Sequence, residues 1–196
     1  MALLLFSGCQ KESRGSQNKV ISGTEILPRF NESNFLRYTE DFSDESWAKV
    51  ALEIQNNAAL DPNGNPNADL VDFASNMKES RLSQTIQGLK EGYYAFSIYL
   101  KATEGDSGEF TISAHSKSLV EEWRNATIRL NDSTWERVDV RVYIKGRGSV
   151  TVYAGNNRVK KTENNIKRLY MWGAQLEKLS LREDKLSEYG GNYVLK

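Results

Sequence analysis

The sequence is short of the residues that most often carry chemistry. It has one histidine, His115, and one cysteine, Cys9, in 196 residues. A lone cysteine rules out an internal disulfide, and a lone histidine rules out metal centres built from several imidazoles. An excess of charge is missing too, since 26 basic and 26 acidic side chains cancel. That leaves no basic footprint for nucleic acid, and none is expected as a partner. There are only three prolines, no low-complexity stretch and no internal repeat. No apolar run is long enough to cross a bilayer, and no long amphipathic helical pattern occurs. The remainder, 39% hydrophobic and 27% charged, suits one globular domain with tails, large enough to bury a core without disulfides or metal.

The periodicity that is present has period two. Tyr94, Phe96, Ile98 and Leu100 alternate with Tyr93, Ala95, Ser97, Tyr99 and Lys101. Phe110, Ile112 and Ala114 alternate with Thr111, Ser113 and His115. Val138, Val140, Val142 and Ile144 alternate with Arg137, Asp139, Arg141, Tyr143 and Lys145. Each run predicts a half-buried strand. Gly146-Arg147-Gly148 reads as a turn, with Val150 and Val152 pointing inward on the second strand of a hairpin. Weaker strand candidates cover 48–57, 69–75, 80–88, 124–131 and 168–179. Nine short strands predict an all-β fold, a two-sheet antiparallel β-sandwich. One helix-like turn is expected around Asp44–Lys49, capped by Ser43 or Asp44.

The chain divides into four parts. Residues 1–9, MALLLFSGC, are similar to a bacterial lipobox: an apolar run, the small residues Ser7 and Gly8, then Cys9. The resemblance implies cleavage before Cys9 and lipidation of its thiol. Phe6 stands where leucine is usual, and the basic start of a signal peptide is missing. Gln10, Lys11, Glu12 and Ser13 resemble the signal that sends lipoproteins to the outer surface in some Gram-negative bacteria. This implies a chain anchored by lipid in the outer membrane and exposed at the cell surface, touching the membrane only through its anchor. Residues 10–33 are polar and aperiodic, as in a flexible tether. The domain spans 34–180, and 181–196 read as a strand end and loose tail.

Five segments carry a wider resemblance: NFLRYTEDFSDESWAKV (34–50), DPNGNPNADLV (61–71), YYAFSIYLKA (93–102), STWERVDV (133–140) and LYMWGAQLE (169–177). In this order they resemble the jelly-roll modules of bacterial carbohydrate-binding proteins and of phage tail proteins. The likeness extends over about 34–189, ending on Ser187-Glu188-Tyr189. It implies a two-sheet jelly roll with sugar on a concave sheet or at a loop edge. The same fold also serves as a spacer or adhesive, so it does not by itself give a function. The resemblance further implies a structural calcium between the first and last strands, for which Glu40, Asp41 and Glu177 supply hard oxygen ligands.

Sugar recognition needs flat rings for the apolar faces of pyranoses and polar side chains for their hydroxyls. Trp123, in the apparent loop SLVEEWRN, is the leading platform candidate. Alternation turns Tyr99, Arg141, Tyr143 and Tyr153 outward, and Gln175 joins them if Trp172 and Leu176 point inward and Met171 outward. Trp47, Trp135 and Trp172 are expected in the core. The oxygen-rich run from Asp61 to Asp72 mimics a calcium loop but carries Pro66 where glycine is required, so it reads as a polar turn. Catalysis is not expected. His115 faces away from the core, no glucanase-type triple-acid motif or lyase-type Gln-x-His strand is present, and Glu136 and Asp139 fall on opposite faces of their strand. The expected function is non-catalytic capture of polysaccharide or oligosaccharide. A protein-contacting adhesive module is the alternative, and a lyase or glycosidase a minor one.

Overall fold

In the computed structural model, residues 34–74, 79–156 and 164–189 are described. Cys9 and the tether lie outside them. Eight strands form: β1 (Ala48–Val50), β2 (Leu52–Ala59), β3 (Ala68–Phe73), β4 (Ser80–Ala102), β5 (Ser107–Lys117), β6 (Glu122–Asn131), β7 (Glu136–Asn156) and β8 (Arg168–Leu179). The alternating runs land where period two put them, with Phe96, Ile98, Leu100, Ile112, Val138, Val140 and Val142 all buried.

The two-sheet sandwich is not what these strands build. All eight belong to one antiparallel sheet, ordered β2-β3-β8-β4-β7-β5-β6, with β1 added against β4. The sheet curls on itself into a half-barrel and, among the described residues, does not close: its end strands β2 and β6 are not paired with each other. The cause lies in β4 and β7, which are 23 and 21 residues long. Gly146-Arg147-Gly148 is not a hairpin turn. β7 runs through it and bends, with Gly146 at φ 79°, a conformation that side chains with a Cβ rarely adopt. Opposite this bend the β4 register shifts between Ile86 and Leu89 and again between Lys90 and Gly92. A strand that bends instead of stopping keeps its hydrogen bonds around the corner.

The curl gives two walls. One holds β2, β3, β8, residues 93–102 of β4 and residues 136–144 of β7. The other holds β1, residues 80–86 of β4, residues 150–156 of β7, β5 and β6. The core lies between them. Phe73 of β3 meets Phe110 of β5 across it, ring centroids 5.5 Å apart. Segment 34–47 folds as turns, not as a helix, and Asp44 Oδ1 accepts from the backbone N–H of Ser46. The segment adds Leu36, Phe42 and Trp47 to the core. It also covers the edge of β8 that β3 leaves free. Phe35 N–H donates to Leu176 O, and Ala174 N–H donates to Thr39 O.

Candidate functional site

Register across the second wall aligns its outward side chains in rows. One row runs Trp123, His115, Thr151 and Thr85 over β6, β5, β7 and β4. The next runs Asn125, Ser113, Tyr153 and Ser83. Trp123 therefore stands on a strand, not in a loop. Its ring stacks on His115 at 4.1 Å and 10°, and on Tyr153 at 5.4 Å and 18°. The Arg81 guanidinium lies over Tyr153, 5.7 Å from the ring centre. His115 Nε2 is 2.6 Å from Glu121 Oε1, and Arg81 Nε donates to Glu79 at 2.7 Å. Burial pushes the Tyr153 phenol up, so it stays neutral and able to donate. Hydroxyl pairs flank the rings: Thr85 with Thr151 at 2.9 Å, and Thr111 with Thr127 at 2.8 Å. The face thus presents a stack of near-parallel rings, their contacting faces turned to one another, bordered by hydroxyls, an amide and one guanidinium.

The other expected residues lie on the outside of the first wall, where segment 181–189 is strapped over them. Arg141 bonds Asp139 Oδ2 at 2.8 Å and the carbonyl of Arg182. Gln175 Nε2 donates to Ser187 Oγ at 2.7 Å, and Arg137 donates to the carbonyl of Ser187 at 2.8 Å. Tyr99 packs on Trp172 at 5.4 Å, and Tyr189 covers that tryptophan edge-on at 4.5 Å. Tyr143 is half-buried, packed against Tyr93 at 4.8 Å with the rings tilted by 53° and its hydroxyl on Glu91. The sequence-derived set is therefore split. Trp123 and Tyr153 come together on the second wall. Tyr99, Arg141, Tyr143 and Gln175 stay apart from them, and all but Tyr143 are engaged by the strap or its neighbours.

Trp172 does not point inward. A bulge at Gly173, φ 63°, shifts the register between Ser97 and Tyr99, so Met171 turns into the core and Trp172 out under the strap. Trp47 is buried in the core, and Trp135 is half-buried beneath Lys101.

Of the three proposed calcium ligands, Glu177 and Asp41 are engaged by protein donors, while Glu40 keeps its Oε1 buried without a hydrogen-bond partner among the described residues. Ser187 N–H donates to both Glu177 oxygens, Ser43 and Asn56 donate to Asp41, and the Tyr189 hydroxyl donates to Glu40. No group of three His, Cys, Asp or Glu side chains suited to a metal forms among the described residues. Burial holds Glu40 above the usual carboxylate range. Asp69 goes further, to about 6, through burial and the nearby charges of Asp41 and Glu40, against lowering bonds from the Phe42 and Asn57 backbone. A cleft beside β2, lined by Ala51, Leu52, Glu53, Asp72 and Ala74, lies on the first wall, away from the rings.

Sequence reasoning missed His115 and Arg81 as site members. His115 was visible as an outward residue. Only the pairing of β5 with β6 turns it into a stacking partner for Trp123.

No protein-family model matches this chain, and no curated protein matches its sequence. Solved structures do match its fold. The C-terminal family 22 carbohydrate-binding module of Clostridium thermocellum Xyn10B gives a TM-score of 0.54 at 14% identity, covering 76% of this chain and 96% of that one. The CBM22-1 xylan-binding domain of Paenibacillus barcinonensis Xyn10C gives 0.51 at 11%, covering 74% and 91%. TmCBM61, solved in complex with β-1,4-galactotriose, gives 0.50 at 16%, covering 74% and 99%. The chain has the fold of carbohydrate-binding modules, and identities this low speak for the fold alone.

Proposed function

We propose that residues 34–189 form a non-catalytic module that binds polysaccharide on the outer face of the second wall. The observation that carries this reading is the near-parallel group of Trp123, His115 and Tyr153 on a sheet face that no strap crosses among the described residues. Once a ligand parts the stack, the aromatic faces suit the C–H faces of pyranose rings, and the bordering threonines, Asn125 and Arg81 suit their hydroxyls. The fold shared with a xylan-binding domain and with a module solved in complex with β-1,4-galactotriose supports the same reading. Neutral polymers fit best, because Arg81 and His115 each face a carboxylate and the whole chain carries no net charge.

Affinity electrophoresis in gels holding soluble xylan, β-1,4-galactan or hydroxyethyl cellulose tests the proposal. The wild type is expected to be retarded in at least one gel. Tyr153→Ala and Trp123→Ala should bind roughly 10- to 100-fold more weakly, the scale of one well-used aromatic contact, with unchanged circular dichroism. Free migration of the wild type in all three gels would refute the reading, as would full retention by both folded variants.

A further inference from the structure

An outward-facing hydroxyl on a sheet is ordinarily wetted or paired. Ser113 is neither. Period two turns it to the outside of β5, between Thr111 and His115 and opposite the core residues Ile112 and Ala114. It is nevertheless fully buried. Its Oγ has no hydrogen-bond partner among the described residues. Burial without a partner lowers stability, so the position needs a reason.

The register supplies one. Ser113 faces Asn125 on β6 and Tyr153 on β7, one outward position from the His115–Trp123 pair. Trp123 and Tyr153 root on the strands flanking β5, yet their ring centres are only 5.4 Å apart. The rings thus meet across β5, the strand that carries Ser113, and a buried side chain on that outer face needs such a cover. These are the rings that the polysaccharide-binding reading assigns to the ligand, and a role for Ser113 rests on that reading. A pyranose cannot reach the contacting faces of two rings stacked on each other, so engaging those faces parts them. Parting them uncovers the hydroxyl between.

We propose that Ser113 Oγ is a ligand-binding hydroxyl, roofed by Trp123 and Tyr153 in the free protein and bonded to a hydroxyl of the sugar backbone in the complex. The unpaired state belongs to the closed face, and the ligand supplies the missing partner. The role is also one of selection. A flat ring can take any pyranose face, whereas a hydroxyl fixed on β5 accepts only a sugar hydroxyl at the matching position.

The test sets two readouts of Ser113→Ala against each other. Melting should rise by about 2–4 °C, because an unpaired buried hydroxyl is removed. Affinity for whichever of the three polysaccharides retards the wild type should fall roughly 3- to 10-fold by calorimetry, the scale of one hydrogen bond. Affinity equal to the wild type would make Ser113 a packing residue and overturn this inference while leaving the polysaccharide-binding reading intact. A weaker affinity accompanied by a lower melting temperature would mark sheet damage and overturn it as well. Wild-type protein that binds none of the three polymers would remove the reading and this inference together.

Discussion

Asp69 is a carboxylate placed where water does not reach it. Its two oxygens accept from the backbone N–H groups of Phe42, at 2.9 Å, and Asn57, at 3.0 Å. These bonds fasten segment 34–47 and a left-handed residue of β2, Asn57 at φ 54°, to β3. They do not offset burial, and the group titrates near 6 instead of 3.8. A carboxyl raised in the folded state favours folding when it is protonated. Its contribution is complete below about pH 4 and is lost as pH rises through about 6. Glu40 is raised as well, again by burial. The domain should therefore melt at a higher temperature at pH 5 than at pH 7. Asp69 contributes about 1–1.5 kcal/mol of that difference, since only the pH unit between 5 and its value of about 6 counts, at about 1.4 kcal/mol per unit. Melting temperatures that fall steadily from pH 7 to pH 5 would show that Asp69 ionises in the fold as easily as in the open chain.

Among the elements, β8 shows how a single residue reorganises a face. Strict alternation from Leu176 places Trp172 inward, and one additional residue at Gly173 reverses everything before it. A Cβ at Gly173 would sit 3.3 Å from both the Tyr99 and Tyr189 rings, on backbone of positive φ. Gly173→Ala should therefore cost about 1–3 kcal/mol and lower the melting temperature by several degrees. Polysaccharide retention should be unchanged, since the rings concerned lie on the first wall. Lost retention in a folded Gly173→Ala protein would mean that the strapped face contributes to binding. The same element marks the limit of what local pattern reveals. The uninterrupted alternations of 93–101 and 138–144 were legible because every second side chain is apolar. The bulge was not legible, because a glycine in a strand announces no register. Tyr153 was legible as an outward ring. Its meeting with Trp123 and His115 was not, because that depends on β6, β5 and β7 lying side by side, and nothing in any one of those segments encodes its neighbours.

For the whole molecule, the governing feature is the β4–β7 ribbon, which belongs to both walls. Breaking it in one wall should break the other. Val140 is buried and paired with Phe96 in the first wall. Val140→Asp places an unpaired carboxylate there at a cost of several kcal/mol, comparable to the 5–15 kcal/mol that holds a typical domain folded. The near-UV signal of the Trp123 stack, on the opposite wall, should vanish together with the far-UV sheet signal. Arg141→Ala, on the outer face, should melt close to the wild type. A Val140→Asp protein that keeps the aromatic signal would show that the walls fold independently. The ribbon also governs the order of events in time. The β5–β6 hairpin can form from neighbouring residues, but β4 has no partner in either wall's centre until β7 exists, and residues 103–135 stand between them. Sheets dominated by such distant pairings close in milliseconds to seconds. While the chain is being synthesised, Ser80–Ala102 has only the short β1 to pair with, along Arg81–Ser83, and the rest of its edges stay bare until β7 emerges, so chaperones that shield such strands would act on this protein in that interval.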